Sequence, residues 1–234
     1  MPNCVIMTKE MLEKYLNPGT YINSDHPDVI RFVQEKTARY DTVNDKIKAL
    51  YYAVRDGFWY DPYRLDFTKE AIKASHIVSR NYGYCIEKSG LFAAGARVLG
   101  VPSRMGFANV KNHIGTAKLE EVLKTNLLVF HGYAEIWLND QWVKVTPVFN
   151  KGLCDKLNVE PLEFDGHEHA VFQQYSKSGG KFMEYVHDYG TFNDIPYDMF
   201  IDELVRHYPH LAKVIIDQRS INLNVPESLS AIKS

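Results

Sequence analysis

Apolar positions in the first third of the chain recur at helical spacing. Pro27, following Ser24-Asp25-His26, opens a segment whose Val29, Ile30, Phe32 and Val33 gather on one side, a start signal for a helix. Val43, Ile47, Leu50, Tyr51 and Val54 form a second such stripe, with Asp41 or Thr42 as its cap and Gly57 at its end. Phe58 to Pro62 then reads as an extended exit. The run from Cys85 to Leu99 is different. It is dense in Gly90, Ala93, Ala94, Gly95 and Ala96, and Gly100 and Pro102 forbid its continuation. Ser103 to Val110 follows as a strand, and Thr116 to Lys124 as a short helical insertion.

From His131 the period switches to two. With Asn139-Asp140 as a two-residue turn, Leu138 faces Gln141, Trp137 faces Trp142, Glu135 faces Lys144, Tyr133 faces Thr146 and His131 faces Val148. An aromatic pair and an opposite-charge pair then fall across from each other, which supports the register. Thr146 lands on the face of His131, one diagonal step of roughly 7–8 Å away. After Asn150 the alternation fades. Pro161 to Gly166 is a loop, Ser176 to Gly180 a flexible break, and Tyr197 to Tyr208 a closing helix. The pattern predicts a mixed α+β chain that forms one domain over residues 1–234, with helical additions at both ends and 151–234 as a peripheral cap.

Composition narrows the function classes. The chain has 234 residues, 45% of them hydrophobic, enough to build a core without staples. Lys plus Arg total 27 against 29 Asp plus Glu, so neither a nucleic-acid footprint nor a patch for anionic membranes is expected. No stretch approaches the roughly 18 apolar residues of a membrane span. The first ten residues show neither a basic nor an apolar signal region, so a cytoplasmic location is expected. Cys4, Cys85 and Cys154 are odd in number and widely spaced, which suggests no disulfide framework. Neither a cofactor nor a metal is expected.

The chemistry concentrates in Asn81-Tyr82-Gly83-Tyr84-Cys85 and His131-Gly132-Tyr133-Ala134-Glu135. A thiol at a helix mouth meets unpaired N–H groups and a positive dipole end, and a nearby histidine can take its proton. Spacing alone also allows Cys85 as a packing residue and His131 as a structural one. Trp137 and Trp142 read as a packing pair, and Glu135 as the partner of Lys144. His167-Glu168-His169 lacks the spacing of the helical zinc-peptidase signature, because its second histidine comes too soon.

Gly83-Tyr84-Cys85 with Ala93, Arg97 and Gly100 to Arg104, then His131 with Glu135, then Trp142 to Pro147, together resemble the transglutaminase-like superfamily of papain-type cysteine enzymes. Tyr51 to Asp61 resembles that family's preceding helix and its exit. The resemblance covers about residues 45–150. It implies an α+β core in which the cysteine-bearing helix packs on an antiparallel sheet, with a Cys-His-acid triad between them: Cys85 as nucleophile, His131 as base and position 146 as the third member. It further implies a hydrolase or acyltransferase acting on a peptide, protein or small amide through a thioester intermediate. The family usually has an acid before the proline, and this chain has Thr146-Pro147. Threonine accepts a hydrogen bond but does not offset an imidazolium charge. Asn150 and Asp165 are alternatives for the third place, and Asn81, Trp59 and Tyr60 are positioned to supply a second oxyanion donor. Two rival readings remain: a binding protein of the same fold without catalysis, and a zinc hydrolase built on His167, His169 and His187-Asp188.

Overall fold

A computed structural model describes residues 8–114, 117–171, 175–217 and 221–222. Cys4 and Thr116 lie outside the described residues. The chain begins with α1 (Lys9–Glu13), α2 (Pro27–Thr37) and α3 (Val43–Gly57). Pro27 occupies the first turn of α2, where its missing N–H costs nothing. Thr42 caps α3, its Oγ1 accepting from Asp45 N–H at 3.1 Å. β1 (Trp59–Tyr60) pairs in parallel with β3 (Tyr82–Gly83), on either side of β2 (Arg64–Leu65) and α4 (Ala74–Val78). This short ladder delivers the chain into α5 (Cys85–Val98).

α5 is the central post of the molecule. Every residue from Cys85 to Arg97 is buried, as expected for a helix without a polar face. On one side it meets α2, α3 and α4, and on the other the sheet. Small residues permit this crowding. A Cβ on Gly95 would lie 2.8 Å from Leu50 Cδ2 and 3.1 Å from Val33 Cγ2. Two charged residues in the post are satisfied by backbone. Lys88 Nζ donates to the carbonyls of Arg55, Phe58 and Val148 at 2.9, 2.6 and 2.6 Å. The Arg97 guanidinium bonds Asn17 O at 2.6 Å and Ser103 O at 2.9 Å. Both tie the entrance and exit of neighbouring segments to α5 and meet the requirement that buried charge be hydrogen-bonded.

The chain continues through β4 (Ser103–Asn112), α6 (Ala117–Leu123), β5 (Leu127–Leu138), β6 (Gln141–Val145) and α7 (Lys151–Leu157). β7 (Met183–Phe192), α8 (Tyr197–His207), α9 (Ala212–Ile216) and β8 (Ile221–Asn222) follow, the last pairing with β2. The main sheet has the order β6-β5-β4-β7 and is antiparallel throughout. This is the expected α+β architecture. The segment expected to be a peripheral cap instead supplies β7, the fourth strand, and α8, which packs on β5. β7 escapes a search for alternation because most of it is exposed and its pairing with β4 is interrupted by two bulges.

The hairpin adopts the expected register from Leu138↔Gln141 to Glu135↔Lys144, and its ladder ends at Ala134↔Val145. Asn139 and Asp140 have φ of 50° and 60°, the left-handed pair required by a two-residue turn. The Trp137 and Trp142 rings pack edge to face with centroids 5.4 Å apart. The further pairs Tyr133–Thr146 and His131–Val148 do not form part of the ladder. Thr146 N–H turns outward to Ala170 O at 2.8 Å. Pro147, the next residue due to bond β5, has no N–H to give. Val148 instead offers its carbonyl to Lys88.

Candidate active site

The end of the ladder builds the site. In the hairpin register Pro147 stands across from Gly132, so the backbone groups of Gly132 are left for another partner. α5 takes both. Ser89 Oγ donates to Gly132 O at 3.1 Å, and Gly132 N–H hydrogen-bonds the Cys85 thiol. Gly132 is the residue that allows this approach, since a Cβ there would lie 3.1 Å from Ile86 Cα and 3.2 Å from Ile86 Cγ1. The start of α5 is thereby anchored to β5 next to His131. Cys85 and His131 line one cavity of about 90 Å³, together with Tyr60, Tyr84 and Phe130.

Burial sets the protonation states. The Cys85 thiol is pushed up to about 12 by loss of solvent, against hydrogen bonds from Gly132 and Ile86 N–H that favour the thiolate. The His131 imidazole is pushed down to about 3 by the same cause. At neutral pH the two are therefore a thiol and a neutral imidazole, not the thiolate–imidazolium pair that the helix mouth leads one to expect. A second cause is local. Glu87 reaches back to accept Tyr84 N–H at 2.9 Å and pairs with Arg80, so a carboxylate occupies the helix N-terminus. Its charge also raises the thiol pKa. Burial pushes Glu87 itself up to about 7.

Thr146 is buried, and its Oγ1 has no hydrogen-bond partner among the described residues. The bond by which it was expected to orient His131 is not made. Asn150 is also buried, with Oδ1 accepting from Tyr60 N–H at 3.3 Å. Asp165 is spent elsewhere, its Oδ1 accepting from His167 and Glu168 N–H in an exposed loop. Among the positions considered for an oxyanion donor, Tyr60 lines the cavity, whereas Asn81 is exposed and uses its carbonyl to pair with Trp59 N–H. Sequence reasoning passed over Tyr84. Its buried hydroxyl belongs to the cavity wall and has no partner among the described residues. Burial keeps that hydroxyl protonated, hence a donor. Its place directly before Cys85 was the available signal.

Other motif residues are structural. Glu135 pairs more closely with Arg104 (2.6 Å) than with Lys144 (3.9 Å), and Arg104 lies 4.0 Å over the Trp142 ring. His169 Nδ1 accepts Lys144 N–H, His167 contacts Asn44 and Asn139, and His187 packs on Tyr189. Among the described residues no group of three or more His, Cys, Asp or Glu side chains is arranged to hold a metal. Cys154 is buried near Phe149 O, and burial pushes its thiol up to about 11. No helix among the described residues is long and apolar enough to cross a membrane.

The profile of the transglutaminase-like superfamily matches residues 30–147, a span holding Cys85, His131 and Thr146. The chain belongs to the transglutaminase-like superfamily. The superfamily match begins inside α2, earlier than the core expected from about residue 45. No curated protein sequence matches the chain. Among solved structures it is similar to a candidate cysteine protease from Cytophaga hutchinsonii, with 18% identity and a TM-score of 0.46 over 63% of this chain and 44% of that one. It is also similar to the periplasmic domain of TgpA from Pseudomonas aeruginosa, with 17% identity and a TM-score of 0.42 over 60% of this chain and 47% of that one. The chain thus spans less than half the length of either neighbour.

Proposed function

We propose that this protein is a cysteine-dependent amide-bond hydrolase or acyltransferase with Cys85 as nucleophile and His131 as base. The observation that carries this reading is that Cys85 and His131 line one cavity, where Ser89 of α5 bonds the carbonyl of Gly132 directly after His131. Superfamily membership supports the same assignment. Because both groups start neutral, proton transfer accompanies attack. The Cys85 Sγ–carbon bond forms, His131 takes the thiol proton, and negative charge collects on the carbonyl oxygen. Backbone N–H groups at the start of α5 and the Tyr84 hydroxyl are the donors available to that oxygen. Collapse breaks the C–N bond and the amine leaves with the proton from His131. Water, or a second amine, then releases the acyl group from the thioester.

Turnover of p-nitrophenyl acetate by the protein, Cys85→Ala and His131→Ala tests this reading. Both variants are expected to lose about a hundredfold or more. Full activity in His131→Ala would remove the base from the scheme. A second reading has its own support: Thr146 stands where the superfamily usually has an acid, and no group among the described residues bonds its Oγ1. In that reading the protein binds a ligand in the same cavity without turning it over. Absence of burst and turnover with every ester, in a protein that still binds amides, favours it.

A further inference from the structure

We propose that the cavity beside Cys85 holds the acyl side of the substrate, and that this side is an uncharged hydrocarbon group smaller than an aromatic ring. The inference rests on Cys85 being the nucleophile. Leu119 and Leu123 of α6, Leu128 of β5, and Phe200 and Leu204 of α8 converge on the cavity that Cys85 and His131 also line. No Asp, Glu, Lys or Arg is among the described residues that line it. Tyr208 adds no free polar group, because its hydroxyl donates to Leu127 O at 2.7 Å and accepts from Val129 N–H at 2.9 Å. A carboxylate or ammonium entering this space would lose its water and meet no opposite charge among the described lining residues, whereas a methylene gains by leaving water.

Size sets the upper limit. The cavity of about 90 Å³ is smaller than the roughly 150 Å³ apolar cavity known to hold benzene. A short or branched aliphatic group therefore fits better than an aromatic ring or a long chain. The walls contributed by α8 and α9 lie beyond residues 30–147, so they come from a part of the chain outside the superfamily match. One wall of the chamber thus comes from outside the superfamily match, while the rest of its lining lies within it. When attack forms the Sγ–carbon bond and expels the amine, the acyl group stays in this chamber as the thioester until water or another amine takes it.

The test uses p-nitrophenyl acetate, butyrate, benzoate, laurate and monosuccinate on the full chain, with p-nitrophenolate release as readout. Attack forms the thioester and breaks the ester C–O bond in each case. The expected result is a rise of about fourfold in kcat/KM per methylene from acetate to butyrate. Benzoate and laurate should fall below butyrate, benzoate as the best ester overturning the size limit, and monosuccinate should be at least about tenfold slower than butyrate. Leu211→Trp and Val122→Phe, which fill the cavity from different walls, should bring the butyrate-to-acetate ratio toward one. A flat series, or monosuccinate as the best ester, overturns the inference while leaving the nucleophile assignment standing. Laurate as the best ester overturns the size limit. Calorimetry with butyramide and succinamate on Cys85→Ala separates the two claims. Binding of butyramide but not succinamate by Cys85→Ala, where the unsubstituted protein turns over no ester, supports the chamber and ends the catalytic reading. Equal binding, or none to either, overturns the chamber.

Discussion

The two ends of β5 are built from the same strand by opposite means. At the hairpin end, Glu135, Ile136, Trp137 and Leu138 each meet a partner on β6 across a continuous ladder. At the other end, β6 has stopped at Val145, and Gly132 gives its N–H and C=O to Cys85 and Ser89 of α5. Backbone groups committed to a ladder fix register and little else. Backbone groups released by Pro147 are free to position a nucleophile. The candidate chemistry therefore sits where regular structure is interrupted, and its geometry depends on a proline that cannot donate and a glycine that has no side chain.

The comparison breaks most sharply at the two buried cysteines. Cys85→Ala should reduce ester turnover by about a thousandfold or more, whereas Cys154→Ala, away from β5, should stay within about twofold. Comparable losses in both would mean that burial, not the end of β5, governs activity.

pH separates the ends next. The site end holds His131, whose imidazole is pushed from 6.5 down to about 3. Between those values the unfolded chain binds a proton that the folded one refuses, so this group should lower stability as pH falls through that window. The effect is expected to be a few kcal/mol in denaturant titrations and to be absent in His131→Gln. A variant with an unchanged acid limb would show that His131 is not held neutral.

Substitutions in the strand and its turn make a smaller contrast. Gly132→Ala forces a methyl against Ile86, and should cost about 1–3 kcal/mol of stability and at least tenfold in kcat/KM. Asp140→Gly relieves a left-handed residue at the tip, where φ is 60°, and should add up to about 1 kcal/mol with turnover unchanged. Stability curves and ester kinetics on the two variants check both halves. Were the tip variant to impair turnover as strongly, the two ends would be mechanically coupled.

Thr146 gives the smallest expected effect. Its Oγ1 is buried without a partner among the described residues, so Thr146→Val should be neutral or stabilising by less than about 1 kcal/mol. Thr146→Asp places a carboxylate near the end of β5. If it reaches His131 it should raise the imidazole pKa and speed Cys85 alkylation at pH 6. Unchanged or slower alkylation in a folded Thr146→Asp protein would place the third position elsewhere.

Much of the fold was legible because period and punctuation agree. Pro27, Thr42, Gly57 and Asn139-Asp140 mark boundaries that the structure keeps. The order of Cys85 and His131 was legible as that of a known superfamily, and the fold brings the two to one cavity. β7 was not, because an exposed edge strand with bulges carries no clean alternation. The protonation of Cys85 was misread because a helix mouth suggests a thiolate, while burial and the Glu87 carboxylate act the other way. Extending the hairpin register past Val145 failed for a reason visible in the sequence. Pro147 ends the ladder, and what α5 does with the groups so released is a tertiary contact that no local pattern encodes.

The most direct test of the account is where an acyl group goes. The protein is mixed with p-nitrophenyl butyrate, quenched in acid within the first turnover, and mapped by peptide mass spectrometry. The account requires one butyryl group per chain on Cys85, with its accumulation slowed in Gly132→Ala and absent in Cys85→Ala. Butyryl on Cys154, or on a lysine or tyrosine with Cys85 unmodified, would contradict the assignment of the nucleophile.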